Sequence, residues 1–555
     1  MRRPFLVLAL LLAPNAGCAS STPNFWQPTN DLLPMVALDD RVAYVEKNSH
    51  TAFLLDPADT SLKPRMVLVG KAPVAAVKRN ANDPLLPHNQ LLVVNAGDSG
   101  SANVAPIPAQ LQIIDANANV APDVRPLAGR FDGLAQSGDG RFLVLYHSSS
   151  TPDATDTGLF NPNEMTIVDF TLPPNPLVPT LPTKTIRSLG GVPTRIEFSP
   201  SYPFKAGSRS LAVVLSQNYV TILDLDHTDR TEISVPLCPQ STGCTYSPDQ
   251  IVFAPANLNI YIRAGNAKDI FQITLTDLWP ALPLAGSPDN DFRASLSMLS
   301  VGANPAGMAL YSDLSGTHLA VLAPASKSLV IIDPSTSHTL TIATSIPANV
   351  IVPFTFTDSN NAQKNQALLV DTINGSTSVL FADLEQVATE GGLAIADSPL
   401  RAAAGDVWPL VDQGIAVLVI GKRSAISGFT VVGLSTRRFV DITASTAFDN
   451  PYLETSSPSR LWGVSSGTKL SYFNLVARPG EATLAPTAVW LDQNITSIQA
   501  LGTKSADGHR YLVVGQSDQN QIGNLTFLDA DKPDRASART AYGFLFSNYL
   551  ERGQP

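Results

Sequence analysis

Residues 317–343 read THLAVLAPASKSLVIIDPSTSHTLTIA. The runs Leu319–Ala323 and Leu329–Ile332 are apolar at every position, with no alternation of polar residues. A strand with one wet face alternates, whereas a continuous run this short fits a strand covered on both faces. Asp333 followed by Pro334, Ser335 and Thr336 marks a chain reversal, because a short acidic side chain can bond its own backbone two residues on. HTLTIA (338–343) then supplies a third strand, and PAGMALYS (305–312), ahead of the pair, supplies a fourth.

The same unit recurs on either side. Upstream are RVAYVEK with AFLLDP (from 41), QLLVVNAG with LQIIDANA (from 90), RFLVLYHS with MTIVDFT (from 141), SLAVVLSQ with VTILDLD (from 210) and LNIYIRAG with IFQITLTD (from 258). Downstream are QALLVDT with SVLFADL (366), IAVLVIGK with GFTVVGLS (415), RLWGVSSG with LSYFNLV (460) and RYLVVGQS with LTFLDA (510). Segments such as PVAAVKR (73–79) and PTRIEFSP (193–200) precede the pairs, and MVLVG (66–70) and RFVDITA (438–444) follow them. Four short antiparallel strands repeated about every 40–50 residues make the blade of a β-propeller. The chain is therefore expected to be all-β, with about ten four-stranded repeats spanning residues 32–555 as one wide ring or as two smaller propellers in series. Because closure protects edge strands, the first and last blades are expected to meet, with closing strands near Pro34 to Leu38 and Tyr542 to Phe546.

The turn chemistry resembles the YVTN-type repeats of lactonase-like propellers. Their unit runs Gly-x-x-Pro, a strand, Ser-Pro-Asp-Gly, a Tyr-Val-type strand, Asn-Gly, and a strand ending in Ile-Asp. The matching stretches here are Gly302-Ala303-Asn304-Pro305, Ser137-Gly138-Asp139-Gly140, Ser505-Ala506-Asp507-Gly508, Val93-Val94-Asn95, Ile113-Ile114-Asp115 and Ile331-Ile332-Asp333. These are turns and strand ends, so the resemblance implies an architecture; the hydrolase activity of the family's lactonases comes with it only as an alternative.

The N-terminus has a different character. Arg2 and Arg3 precede an apolar run, Phe5 to Ala13, too short for a permanent span, which needs about 20 residues. This pattern is a secretory signal. Ala16-Gly17-Cys18 resembles the lipobox of bacterial lipoproteins, although Asn15 stands where that family prefers Leu. The resemblance implies a signal at 1–17, lipid on Cys18, a tether at 18–31 and anchorage in the outer membrane, on its periplasmic or its surface side. Ordinary cleavage nearby would leave Cys18 without a role. Each buried methylene contributes about 0.8 kcal/mol, so two or more acyl chains anchor stably where one does not.

Without Arg2 and Arg3 the chain carries 35 basic against 47 acidic side chains and no basic cluster, which argues against a nucleic-acid partner. Cys238 and Cys244, in LCPQSTGC, are most simply a disulfide closing a small loop in an oxidising compartment. Asp224, Asp226, His227 and Asp229 alternate as metal ligands can, but they fall where other repeats reverse direction, and DADKPD (529–534) does the same; both read as turns, and no metal or cofactor is assigned. The seven histidines form no HExxH or His-x-x-x-His pair, and no catalytic residue is named. In a four-stranded repeat, second-to-third connections and inter-blade links open on one face, so 96–110, 149–164 and the Cys238–Cys244 loop are expected together. The long segments 171–183 and 277–292 belong to the other face. Two functions fit: a binding or scaffold module of the cell envelope that takes a protein or glycan partner, or a lactonase-like hydrolase or isomerase with its site in the central channel.

Overall fold

The computed structural model describes residues 31–542 apart from 81–88, 99, 101–104, 150–160, 173–180, 187–190, 239–242, 281–288, 303, 314–315, 358–361, 423–424, 443–448, 456–458, 476–485 and 518–522. Each strand pair read from the sequence forms the second and third strands of a four-stranded antiparallel sheet, and there are ten such sheets. Strands follow one another in chain order, from Val36–Ala37 in the first sheet to Arg539–Ala541 in the tenth. The fourth sheet carries an extra hairpin, Tyr202–Phe204 with Gly207–Arg209, between its first and second strands. Among the described residues the α-helical content is one turn, Val387–Glu390.

The continuous apolar runs have the expected cause. Val42–Glu46 and Thr51–Leu55 are buried at every position because a neighbouring sheet covers each face. Outer strands are mixed: Phe292–Ser300 alternates and leaves Met298 exposed. The aspartates that end third strands cap the reversals as their positions suggested. Asp115 accepts from the backbone N–H of Asn117 (2.8 Å), Asp169 from that of Thr171 (2.8 Å) and Asp333 from that of Ser335 (2.9 Å). Hydrogen bonds from the Ser335 and Thr336 hydroxyls help to hold the Asp333 carboxyl down at about 2. In the two Asp-Gly turns, Gly140 (φ +75°) and Gly508 (φ +82°) adopt the left-handed backbone that glycine permits without strain.

Whether the blades make one ring or two is decided by where the apolar clusters lie. The described core divides into ten, one at each boundary between successive blades. The tenth joins the last blade to the first, packing Val42, Tyr44 and Phe53 against Leu501, Val513 and Phe527. The chain is a single ten-bladed β-propeller.

Polar contacts at the seam repeat those inside the ring. Arg65 on the outer strand of blade one donates to the backbone of Asp115 and Ala118 in the blade-two turn, and Arg125 on blade two reaches the Asp169 carbonyl of blade three. Arg539 on blade ten donates to the Pro57 carbonyl of blade one (2.6 Å) in the same way. The backbone N–H groups of Gly502 and Thr503 donate to the Leu38 and Asp39 carbonyls.

The expected closing strands need correction. Val36–Ala37 pairs with Val42–Ala43 inside blade one, and blade ten draws all four strands from 494–541. No described strand is exchanged at the seam; side-chain packing and the polar contacts above close it. Of the stretch Tyr542 to Phe546, only Tyr542 is among the described residues.

Candidate functional site

First strands of neighbouring blades touch at several boundaries, those of blades five, six and seven among them, and so line the inner side of the ring there. Each runs toward the face where first strands turn into second strands. In blades five and eight that turn is a single short 3-10 segment, Pro255–Asn257 and Val411–Gln413. Blades six and seven instead carry long hairpins, paired out to Asp313↔Gly316 and Thr357↔Gln363. A cavity of about 480 Å³ opens between these hairpins and the two short turns.

Its apolar surface comes from one aromatic in the second half of each first strand, Phe253, Tyr311 and Phe354, with Pro353 and Val411 at its edge. Around them are the neutral polar groups of Asn257, Ser312, Thr355, Asn365 and Gln366. The Tyr311 hydroxyl donates to the Leu384 carbonyl (3.3 Å), and burial, with Asp313 and Glu385 nearby, pushes its pKa well above the usual phenol range. Its ring stacks on His318 with centroids 5.3 Å apart.

An adjoining cavity of about 790 Å³ shares Ser312 and Asn365 and is lined by Asp313, Lys364 and Glu385, each with a partner. Asp313 Oδ1 lies 3.2 Å from His318 Nε2, and Lys364 Nζ lies 3.4 Å from Glu385 Oε2. The Asn365 amide donates to the Ser312 carbonyl (2.8 Å) and to Glu385 (3.0 Å), tying the two hairpins together. The Ser312 hydroxyl meets Thr317 (3.1 Å). A serine activated for nucleophilic attack needs a base within hydrogen-bond reach; this one meets a second hydroxyl. The geometry suits recognition by shape, stacking and neutral hydrogen bonds.

No protein-family profile matches the chain, and no curated protein does. Solved structures show a loose likeness. Dihydro-heme d1 dehydrogenase NirN in complex with DHE is 10% identical, with 91% of this chain covering 74% of that one at a TM-score of 0.35. The extracellular domain of a one-component system of B. thetaiotaomicron is 11% identical, covering 93% of this chain and 66% of that one at 0.27. The hydrazine synthase of Kuenenia stuttgartiensis is 13% identical, covering 74% and 95% at 0.26. These values assign neither a function nor residues.

The acidic turns resolve as turns. Asp224 accepts from the backbone N–H groups of Asp226 (3.0 Å) and His227 (3.1 Å), and Asp226 pairs with Arg141 (2.9 Å). Arg209 and Arg230 lie 3.5 and 3.6 Å from Asp224 and each reaches Asp291 at 2.7 Å. Burial pushes the Asp224 carboxyl above the usual range, with His227 and the arginines opposing; at Asp291 the two arginines outweigh burial and hold the carboxyl below it. This cluster pins one end of the 277–292 segment, whose other end is held where Asp277 accepts from the Lys205 N–H (2.6 Å). Asp529 likewise accepts from the N–H groups of Asp531 and Lys532. Among the described residues no three His, Cys, Asp or Glu side chains converge as metal ligands do.

Cys238 and Cys244 stand at disulfide distance, with Cα atoms 5.9 Å apart. The link that holds them leaves a blade on the face where second strands pass to third, as 96–110 and 149–164 do at their described ends; residues 99, 101–104, 150–160 and 239–242 lie outside the described residues. The pocket is on the opposite face, where third strands turn toward fourth at 169–172 and 277–280; residues 173–180 and 281–288 lie outside the described residues. Sequence reading drew attention to long loops and passed over the hairpins that build the site. The available signal was an aromatic in the second half of three consecutive first strands: Phe253, Tyr311 and Phe354. Cys18 lies outside the described residues.

Proposed function

We propose that this protein is an exported, lipid-anchored recognition module of the bacterial envelope, and that it binds its ligand at the channel mouth of blades five to seven. The observation that carries the reading is the pocket's composition. Its aromatic floor and neutral hydrogen-bonding rim have the make-up of a small-ligand site, and about 480 Å³ falls in the roughly 300–1,000 Å³ range of such sites. The cysteine pair fits an oxidising compartment. The repeat motifs fit a distant relation to YVTN-type propellers. Among the described residues no helix is long and apolar enough to cross a membrane; lipid on Cys18 would supply the anchor.

Binding is tested by thermal unfolding against panels of glycans, peptides and small metabolites. A true ligand at about 100 times its Kd adds about 2.7 kcal/mol and raises the midpoint. No shift with any class, together with turnover of simple lactones, would replace this reading with the hydrolase one. The anchor has a separate test. Wild-type protein should fractionate with membranes, and Cys18→Ser should move it to the soluble fraction with its unfolding midpoint unchanged. Wild-type protein that is wholly soluble after export rules the anchor out.

A further inference from the structure

The ligand class follows from which groups at the pocket remain unsatisfied. We infer that the pocket takes a neutral oligosaccharide; this rests on the recognition reading above and narrows it. Gln366 is only 5% exposed, and its Oε1 accepts from Arg437 (3.4 Å), while its Nε2 has no hydrogen-bond partner among the described residues. Gln366 lines the cavity, so this donor is open to an acceptor on a ligand seated there. The side chains of Asn257 and Thr355 also make no hydrogen bond among the described residues, and both are exposed at the rim. The positions open to a ligand are therefore one amide donor on the cavity wall, one amide of both kinds and one hydroxyl.

Charge narrows the class. The 480 Å³ cavity has no Asp, Glu, Lys, Arg or His in its lining. Beside it, Lys364 is paired with Glu385 and Asp313 lies against His318, while the exposed Arg437 donates to the neutral Gln366 amide and lies over the Phe381 ring. An anionic ligand would want charge-assisted donors, and a cationic one an unpaired carboxylate or an open aromatic face. A ligand with apolar C–H faces and a fringe of hydroxyls matches what is there. Half-buried Phe253 and exposed Pro353 offer surfaces for the faces, and the amides and Thr355 meet the hydroxyls. The cavity opens on the face of the ring, so a longer chain can enter with one or two units seated.

The test is binding of the whole exported chain to an array of neutral, acidic and amino-bearing oligosaccharides and proline-rich peptides, with calorimetry on each hit. Neutral oligosaccharides should bind, and their Kd should change less than about twofold between roughly 0.05 and 0.5 M salt, because no net charge is matched. Thr355→Arg, at an exposed position, should weaken binding at least about tenfold, or about 1.4 kcal/mol. Gln366→Leu should do the same if its unfolding midpoint is kept. Neutral sugars that bind Thr355→Arg as well as wild type overturn the assignment. So does a hit list made only of charged glycans or peptides; if Thr355→Arg abolishes those hits, the recognition site stands and only the ligand class falls. No hit of any class removes both.

Discussion

Phe527→Ala should destabilise the protein by about 3–5 kcal/mol in urea unfolding, as truncation of a fully buried Phe does elsewhere. Phe527 has no exposed surface and sits in the cluster that joins blade ten to blade one, edge-on to Tyr511 at 6.3 Å. The magnitude tests closure. If the seam opened readily in solution, Phe527 would already be partly wet and its removal would cost little. The control is Phe271→Ala, at the boundary of blades four and five, which is equally buried. Equal losses mean a seam as tight as any internal boundary. A loss below about 1 kcal/mol for Phe527→Ala beside a full loss for Phe271→Ala would mean an open ring.

Glu454→Ala should cost a similar amount for an electrostatic reason. Glu454 ends the first strand of blade nine with 1% of its surface exposed; it pairs with Arg510 of blade ten and accepts from the Trp462 indole N–H at 2.8 Å. Arg510 also reaches Asp531 (3.0 Å), yet remains 6% exposed. Removing one partner of a buried ion pair typically costs about 3–5 kcal/mol, because the other charge stays out of water. Glu454→Gln keeps the size and an acceptor for Trp462, so its difference from Glu454→Ala separates charge from packing. Wild-type stability in both variants would show that water reaches Arg510.

The repeat was legible because burial on both faces writes an unambiguous pattern. Runs such as LAVVL at 211–215 admit no polar residue, and the Asp that follows a third strand caps a turn through its own side chain. Outer strands such as Thr183–Thr185 were hard to place, since one edge is wet and packing constrains it little. Closure was expected but its means was misjudged: a seam made by Leu501, Tyr511 and Phe527 against Val42 and Phe53 leaves no strand signature near either end. The site was not legible. Phe253, Tyr311 and the cross-strand pair Phe354 and Gln366 come from three blades, each looks like an ordinary strand residue, and only the ring brings the three blades to one cavity.

A ring in which no described strand is exchanged at the seam has no privileged starting point. The link from Ala343 at the end of blade six to Val350 at the start of blade seven is an ordinary step from an outer to an inner strand. Joining Ala541 to Val36 by a segment of comparable length would add one more such step, and cutting at 344–349 would remove one. The rearranged polypeptide keeps every blade whole and every boundary intact, so it should reach the same ring. Gene order and rotational position are in this sense independent, and the pocket of blades five to seven takes its place from its neighbours.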